Sequence, residues 1–333
     1  MAQLRAGHSI ALEMSVPSPD PDVAAPATSS DESLGSVLAA MAANATIALA
    51  KGVAAVFTGS PALLAETLHT VADTGNEVLL LIAIRRSRLP ADASHPFGYG
   101  PERYYWALLA AIGMFVVGGA VSIWEGIRAL IHPPALEAFW VGVAVLVIAL
   151  VLDGLSRTVA VRQLRTQAAR RQISVRELLR ESADPTVVTV YFEDTIDVLG
   201  ALLALIALVL HRWTGSALPD ALASIAIGLL LCYLASALTR RNRALLTNQA
   251  VPERYVQQLR DRLETRTEIR SATHIEAVYL SPTEVLVAAD VQLTDGLAGE
   301  EVAAILDRTR ADIMRELPVI VRLYLAPVTT SSP

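Results

Sequence analysis

Long uninterrupted apolar runs limit what this chain can fold into more than any other feature. Six of them, at about 34–58, 62–84, 105–131, 138–161, 186–211 and 220–239, are separated by polar turns. Each is close to or above the roughly 20 residues an α-helix needs to cross a hydrocarbon core of about 30 Å. Strands of a membrane barrel would alternate apolar and polar residues over roughly ten positions, and these runs do not. At that depth no water satisfies the backbone, so helices that close their own hydrogen bonds are expected. Composition agrees: 53% of the 333 residues are hydrophobic and the mean hydropathy is +0.45. The expected fold is therefore an α-helical membrane bundle of six transmembrane helices, over residues 34–245.

Outside the bundle the pattern changes. Residues 1–33 are rich in Pro, Ser and Asp with little periodicity and are expected to form a disordered tail. Within it, SIALEMSVPSPD is too short and interrupted for a signal peptide, so insertion is expected to rely on the first span. From about residue 250, VPERYVQQLRDRLETR and AGEEVAAILDRTRADIMREL read as amphipathic helices, while HIEAVYLS, EVLVAADVQL and VIVRLYLAP read as strands. An αββαβ order over 246–330 predicts a small, ferredoxin-like α+β domain, with a sheet face or edge suited to pairing with a second copy.

Orientation follows the basic residues. Arg85, Arg86 and Arg88 follow the second span, Arg162, Arg165, Arg170, Arg171, Arg176 and Arg180 follow the fourth, and Arg240, Arg241 and Arg243 follow the sixth. The intervening loops hold few, so both termini and the α+β domain are expected in the cytoplasm. Arginine almost entirely replaces lysine, an association that points to a GC-rich bacterial genome and hence to a cell membrane. Cys232 is the single cysteine, which excludes an intrachain disulfide or a multi-thiolate zinc site.

Against this background the run ETLHTVADTGNE, at 66–77, is anomalous. Ionisable residues at mid-membrane are costly and usually face a bundle interior or a watery path. Glu66, His69, Asp73 and Asn76 or Glu77 recur at steps of three and four, one stripe of a helix. His69 and Asp73, at i and i+4, aim an imidazole and a carboxylate at one point, as a divalent transition metal requires. The fifth span offers YFEDTID, in which Glu193 and Asp197 are an i, i+4 pair and Asp194 and Asp197 are i, i+3. Asp153 in the fourth span is open to three roles: ligand, proton acceptor or interhelix hydrogen bond. Glu66 and Glu77 lie toward helix ends and are compatible with a headgroup environment. Lys51 in the first span is expected to snorkel or to pair with a site carboxylate.

The segments SPALLAETLHTVADTGNE, HPFGYGPERYYW, SADPTVVTVYFEDTIDVLG and DALASIAIGLLL resemble those of the cation diffusion facilitators, over about 34–328. The resemblance implies a dimeric metal/proton antiporter with a transport site built from one i, i+4 pair on the second helix and another on the fifth. The first pair falls on His69 and Asp73. With Asp194 as the family aspartate, the position four earlier is Val190, which has no donor atom. In that respect the chain is similar to the branch with a Glu-Asp pair on helix five, the zinc transporter 9 group, and Glu193, Asp153 or a water is expected to supply the missing ligand. A family loop site would involve Asp92 and His95, with Tyr99 where another His is expected; alternatively HPFGYG is a tight turn favoured by Pro96, Gly98 and Gly100. His274 is expected to be structural.

The function implied is export of a divalent cation, foremost Zn²⁺, in exchange for protons. Mn²⁺ or Fe²⁺ efflux, or a metal-responsive membrane protein with little transport, are the alternatives. No HExxH sequence accompanies the stripe, so no enzyme is expected. The expected partners are divalent metal ions, protons, lipid and a second copy of the chain, with no nucleic acid and no resident cofactor.

Overall fold

A computed structural model describes residues 30–170, 172–183 and 185–329, with side chains from residue 44 onward apart from those of 171, 181 and 184–187. Residues 1–29 of the expected tail lie outside the described residues, and Ser30 already opens the first helix. The helices are α1 (Ser30–Thr58), α2 (Pro61–Ser87), α3 (Glu102–Gly113), a π-helical stretch (Met114–Ala120), α4 (Val121–Ile131), α5 (Phe139–Arg170), α6 (Val175–Glu181), α7 (Pro185–Thr214) and α8 (Leu218–Leu246). They are followed by α9 (Glu253–Glu264), β1 (Ile269–Ser281), β2 (Glu284–Leu293), α10 (Gly299–Glu316) and β3 (Ile320–Pro327).

Among the described residues, four helical stretches are long and apolar enough to cross a membrane: Glu102–Ile131, Phe139–Arg170, Val188–Thr214 and Leu218–Leu246. The first joins α3, the π turn and α4 into one continuous rod. Helix α2 has 27 residues, enough length to span, but carries Glu66, Asp73 and Glu77 within its apolar sequence. In α1 the apolar stretch with described side chains is Asn44–Thr58.

The bundle keeps an apolar core but also exposes large apolar side chains and buries ionisable ones. Lys51, Glu66, His69, Asp73, Asn76 and Glu193 are buried, while Leu49, Val56, Phe57, Ile148, Val151 and Leu155 face outward. Large apolar side chains on the outside, with ionisable groups kept among the buried residues, are what a hydrocarbon solvent demands. Trp140 at the start of α5 and Trp213 at the end of α7 are strongly exposed at the helix ends, where amphipathic rings favour an interface.

Two features differ from expectation. Helix α5 continues to Arg170 rather than ending near 161, because the basic extension VRQLRTQAAR is built of good helix formers. The loop after it contains a short helix, α6, whose N-cap Ser174 accepts from the Glu177 amide at 3.1 Å.

In the C-terminal region, β1 and β2 pair antiparallel and β3 joins β2 in parallel, in the order β1-β2-β3. Helices α9 and α10 cover one sheet face around Leu259, Leu263, Val287, Val291, Ile313 and Leu323. The strand order reproduces the αββαβ pattern, as a small three-stranded mixed sheet. His274 has a φ of 45° and falls within the register shift between Thr273 and Glu276, so it marks a bulge in β1.

This domain rests against one end of the bundle. Tyr104 of α3, Ala183 before α7 and Leu245 of α8 form a buried cluster that also contacts Tyr279 of β1. Arg241 of α8 donates to the carbonyls of Leu179, at 2.7 Å, and Ser182, while Arg254 of α9 pairs with Glu177 of α6 at 3.1 Å. In the loop before α3, Gly100 lies so close to β1 that an added Cβ would overlap the Leu280 carbonyl oxygen and lie 2.9 Å from its carbon. Gly100→Ala is expected to destabilise the detergent-solubilised protein by roughly 1–3 kcal/mol, the usual cost of overpacking. Gly113→Ala, where a Cβ meets nothing within 4 Å, is expected to be neutral or slightly stabilising; equal melting temperatures for the two variants would disprove the contact.

Candidate functional site

Helix α2 begins with Ser60 as N-cap, its hydroxyl accepting from the Leu63 amide at 3.1 Å, and Pro61 fits the first turn because its missing N–H is not needed there. Along the helix, Thr67, Thr70 and Thr74 donate back to the carbonyls of Leu63, Glu66 and Thr70 at 2.8, 3.0 and 2.9 Å. Those hydroxyls are thereby satisfied within the helix. Glu66, His69, Asp73 and Asn76 all lie on its buried face. Facing them, α7 presents Glu193 and Asp197, four residues apart on one stripe.

The imidazole of His69 stands between two carboxylates. Its Nδ1 lies 3.1 Å from Asp73 Oδ2 and its Nε2 lies 3.2 Å from Asp197 Oδ1. Neither ring nitrogen is aligned for a hydrogen bond, and Asp73 Oδ1 is also buried without a hydrogen-bond partner. One donor atom from each of His69, Asp73 and Asp197 falls within 4.8 Å of the others. Ligands about 2.0–2.1 Å from a tetrahedral zinc ion stand about 3.3 Å apart. The imidazole–carboxylate spacings thus match an edge of such a site, and ligation through one ring nitrogen requires the farther carboxylate to be drawn across.

The remaining candidates surround this trio. Glu193 Oε1 accepts a short hydrogen bond from Asn76 Nδ2, which fixes it beside the cluster on the next turn. Glu77 Oε1 accepts from Asn44 of α1 at 2.6 Å, leaving Oε2 without a partner. Asp194 turns toward α5, where it accepts from Ser156 Oγ at 3.2 Å. Asp153 lies 4.0 Å from the ammonium of Lys51, which is itself 3.0 Å from Glu66. Val190 is 40% exposed on the bundle's outer surface, so the inward i, i+4 pair of α7 is Glu193 with Asp197, and counting back four from Asp194 follows a different face. Asn44 and Ser156 were not singled out from the sequence, and nothing in their spacing marks them.

Asp92 and His95 lie in the exposed loop after α2, apart from this cluster. Asp92 Oδ1 accepts from the Ser94 amide and hydroxyl at 2.8 and 2.7 Å and from the His95 amide at 2.8 Å, while Oδ2 accepts from Tyr99 at 2.8 Å. The His95 ring packs on Tyr99 with centroids 3.9 Å apart. The carboxylate is an Asx-turn organiser whose lone pairs are already used, and Tyr99 stabilises that turn.

A second buried polar group joins the starts of α2 and α8 to the end of α7. Asp220 Oδ1 accepts from Ser60 Oγ at 2.8 Å and from the Ala62 amide at 3.3 Å, and its Oδ2 lies 3.3 Å from His211 Nδ1. Both oxygens are engaged here, in contrast to the carboxylates around His69.

Residues 37–247 match the model of the cation efflux transmembrane domain. The chain is 31% identical over 255 residues to the human protein called proton-coupled zinc antiporter SLC30A9, mitochondrial, covering 77% of this chain and 45% of that one. It is 32% identical over 232 residues to metal tolerance protein C4 of Arabidopsis thaliana, covering 68% and 48% respectively. With the cation-efflux pump FieF of Klebsiella pneumoniae it shares 28% identity over 286 residues, 84% of this chain and 88% of the pump. The chain thus spans about half the length of the first two relatives.

The loop geometry sets a pH dependence. The hydrogen bonds from Ser94, Tyr99 and the His95 amide hold the Asp92 carboxyl well below the usual carboxylate range. A depressed carboxylate contributes order that is present above the ordinary value near 4 and is lost as pH falls through the lowered one. Amide exchange at Ser94 and His95, corrected for intrinsic rate, is expected to stay protected through pH 4 and to become roughly ten-fold faster in Asp92→Ala at neutral pH. Unchanged exchange in the variant would leave Pro96 and Gly98 as the sole organisers of the turn.

Proposed function

This chain belongs to the cation efflux family, the cation diffusion facilitators, and on that premise we propose that it exports Zn²⁺ across a membrane in exchange for protons. The metal is held between α2 and α7 by His69, Asp73 and Asp197, with Glu193 as the fourth donor. The observation that carries this reading is the convergence of His69, Asp73 and Asp197, one donor atom from each within 4.8 Å of the others, with both His69 nitrogens and Asp73 Oδ1 buried and without a hydrogen-bond partner. An imidazole among the ligands favours zinc over the Mn²⁺ or Fe²⁺ that a pure carboxylate set would suit. The zinc antiporter and the efflux pump among its relatives support the same cargo class.

Coupling to protons follows from the ligands. Metal binds a neutral imidazole and ionised carboxylates, so protons and metal compete for one set of lone pairs. Asp153 and Asp194, on the periphery of the cluster, serve as proton acceptors along the path. In this reading α1, α2, the α3–α4 rod, α5, α7 and α8 are six spans of a multi-pass protein in the cell membrane, with both termini cytoplasmic. The C-terminal region is a ferredoxin-like domain that pairs two copies. Alternating access rocks the helices about the fixed site.

In proteoliposomes with an imposed proton gradient, Asp73→Ala and Asp197→Ala are expected to lower zinc flux at least about 100-fold, while the folded protein elutes unchanged on size exclusion. Asp194→Ala is expected to slow flux without abolishing zinc binding. Native-like flux in Asp73→Ala would refute the site, and Mn²⁺ outcompeting Zn²⁺ would reassign the cargo.

A further inference from the structure

Lys51 is 1% exposed in α1, and its ammonium donates to Glu66 Oε2 and to Thr70 Oγ1, both at 3.0 Å. Glu66 and Thr70 flank His69 on the same face of α2, so the charge sits within about one helical turn of the metal donors. It also lies 4.0 Å from Asp153 Oδ2. The other Glu66 oxygen has no hydrogen-bond partner and rests against Gly200 of α7, where a Cβ would overlap it. The carboxylate is therefore wedged in one place, whereas the four-carbon stem of Lys51 sets its ammonium 3.0 Å from Glu66 and 4.0 Å from Asp153, within reach of both.

A buried ion pair is a poor device for merely holding α1 against α2. Desolvating two charges offsets most of their attraction, and well-packed apolar side chains would hold the helices as well. Position gives the pair a different use. At this depth a fixed positive charge is little screened by salt, and it acts on the same carboxylates that attract the cargo.

We propose that Lys51 is the internal counter-ion of the metal site: a tethered ammonium, resting on Glu66 and Thr70 and reaching Asp153, that weakens the grip of the acidic cluster on a divalent cation so that the cation is released. The inference rests on the reading of His69, Asp73 and Asp197 as the transport site. When metal occupies those donors, repulsion keeps the ammonium on Glu66; when metal leaves, the ammonium leans toward Asp153 and lowers the negative charge that would recapture it.

The test is Zn²⁺ binding to the purified full-length protein, by competition with a fluorescent zinc chelator, alongside flux in proteoliposomes. Lys51→Met is expected to bind Zn²⁺ about ten-fold more tightly and to turn over more slowly, the direction set by removing a unit charge at this range. Lys51→Gln, which keeps hydrogen bonds to Glu66 and Thr70, is expected to tighten as well and serves where the methionine variant fails to fold. Glu66→Gln frees the ammonium toward Asp153 and is expected to weaken binding by a similar factor, while Lys51→Arg stays within about three-fold of the native protein. These opposite signs are what a structural brace would not produce. Weaker or unchanged binding in both neutral Lys51 variants overturns the counter-ion role. If Asp73→Ala abolishes binding in that case, the transport site itself stands. Native protein that binds no zinc overturns both.

Discussion

Everything in the bundle is arranged around the problem of keeping several carboxylates inside an apolar envelope. A lone carboxylate at that depth costs several kcal/mol even after relaxation, so each must find a cation, a donor or a bound ion. Neighbouring helices supply those partners one at a time. Asn44 of α1 reaches Glu77, Asn76 of α2 reaches Glu193 across to α7, Ser156 of α5 reaches Asp194, and Lys51 of α1 holds Glu66. His69, flanked by Asp73 and Asp197, lies at the centre. The packing of α1 and α7 against α2 is in this sense set by the polar stripe on α2 as much as by its apolar faces, and Ser156 ties α5 to α7.

Comparing the two buried acidic groups separates scaffold from site. Asp220 has both oxygens occupied, by Ser60, the Ala62 amide and His211, and it ties three helix ends together. Such a network leaves neither oxygen without a partner and behaves as a rivet. The His69 cluster is built from the same residue types, yet Asp73, Asp153, Asp194 and Glu77 each retain a buried oxygen without a hydrogen-bond partner. Unsatisfied acceptors are costly unless a ligand completes them. The difference lies in bonding rather than composition: the His211–Asp220 pair is closed, whereas the His69 cluster keeps acceptors that a ligand could complete.

The sequence already contained the helices, the stripe at Glu66, His69 and Asp73, and the αββαβ order, because each is written as a periodicity of 3.6 or 2 or as an apolar length. What escaped it was rotation. YFEDTID offers three overlapping pairs, and spacing alone does not say which face of α7 turns inward. Taking Asp194 as the inward acid directed attention to Val190, whereas packing against α2 turns Glu193 and Asp197 to the cluster and leaves Val190 on the outside. Asn44 and Ser156 were invisible for a related reason. A single amide or hydroxyl in a span has no periodic signature until its partner across the helix interface is known. The loop at Asp92 and His95 was ambiguous because an Asx turn and a metal site use the same residues; only the four donors on Asp92 distinguish them.

The two helices that face each other across the His69 cluster also meet the C-terminal domain at the same end of the bundle. Helix α2 leads into the loop that ends at Gly100 against β1, and α7 is preceded by Ala183, packed with Tyr104, Leu245 and Tyr279. Arg241 and Arg254 pin the intervening α6 from α8 and α9. The domain is thus packed against segments next to both helices that carry the His69 cluster. The 3.1 Å spacing of His69 and Asp73 lies within α2, whereas the 3.2 Å spacing of His69 and Asp197 spans α2 and α7 and changes with any displacement between them. On the proposed reading, a site shared between two helices, rather than built on one rigid loop, is suited to letting its ion go.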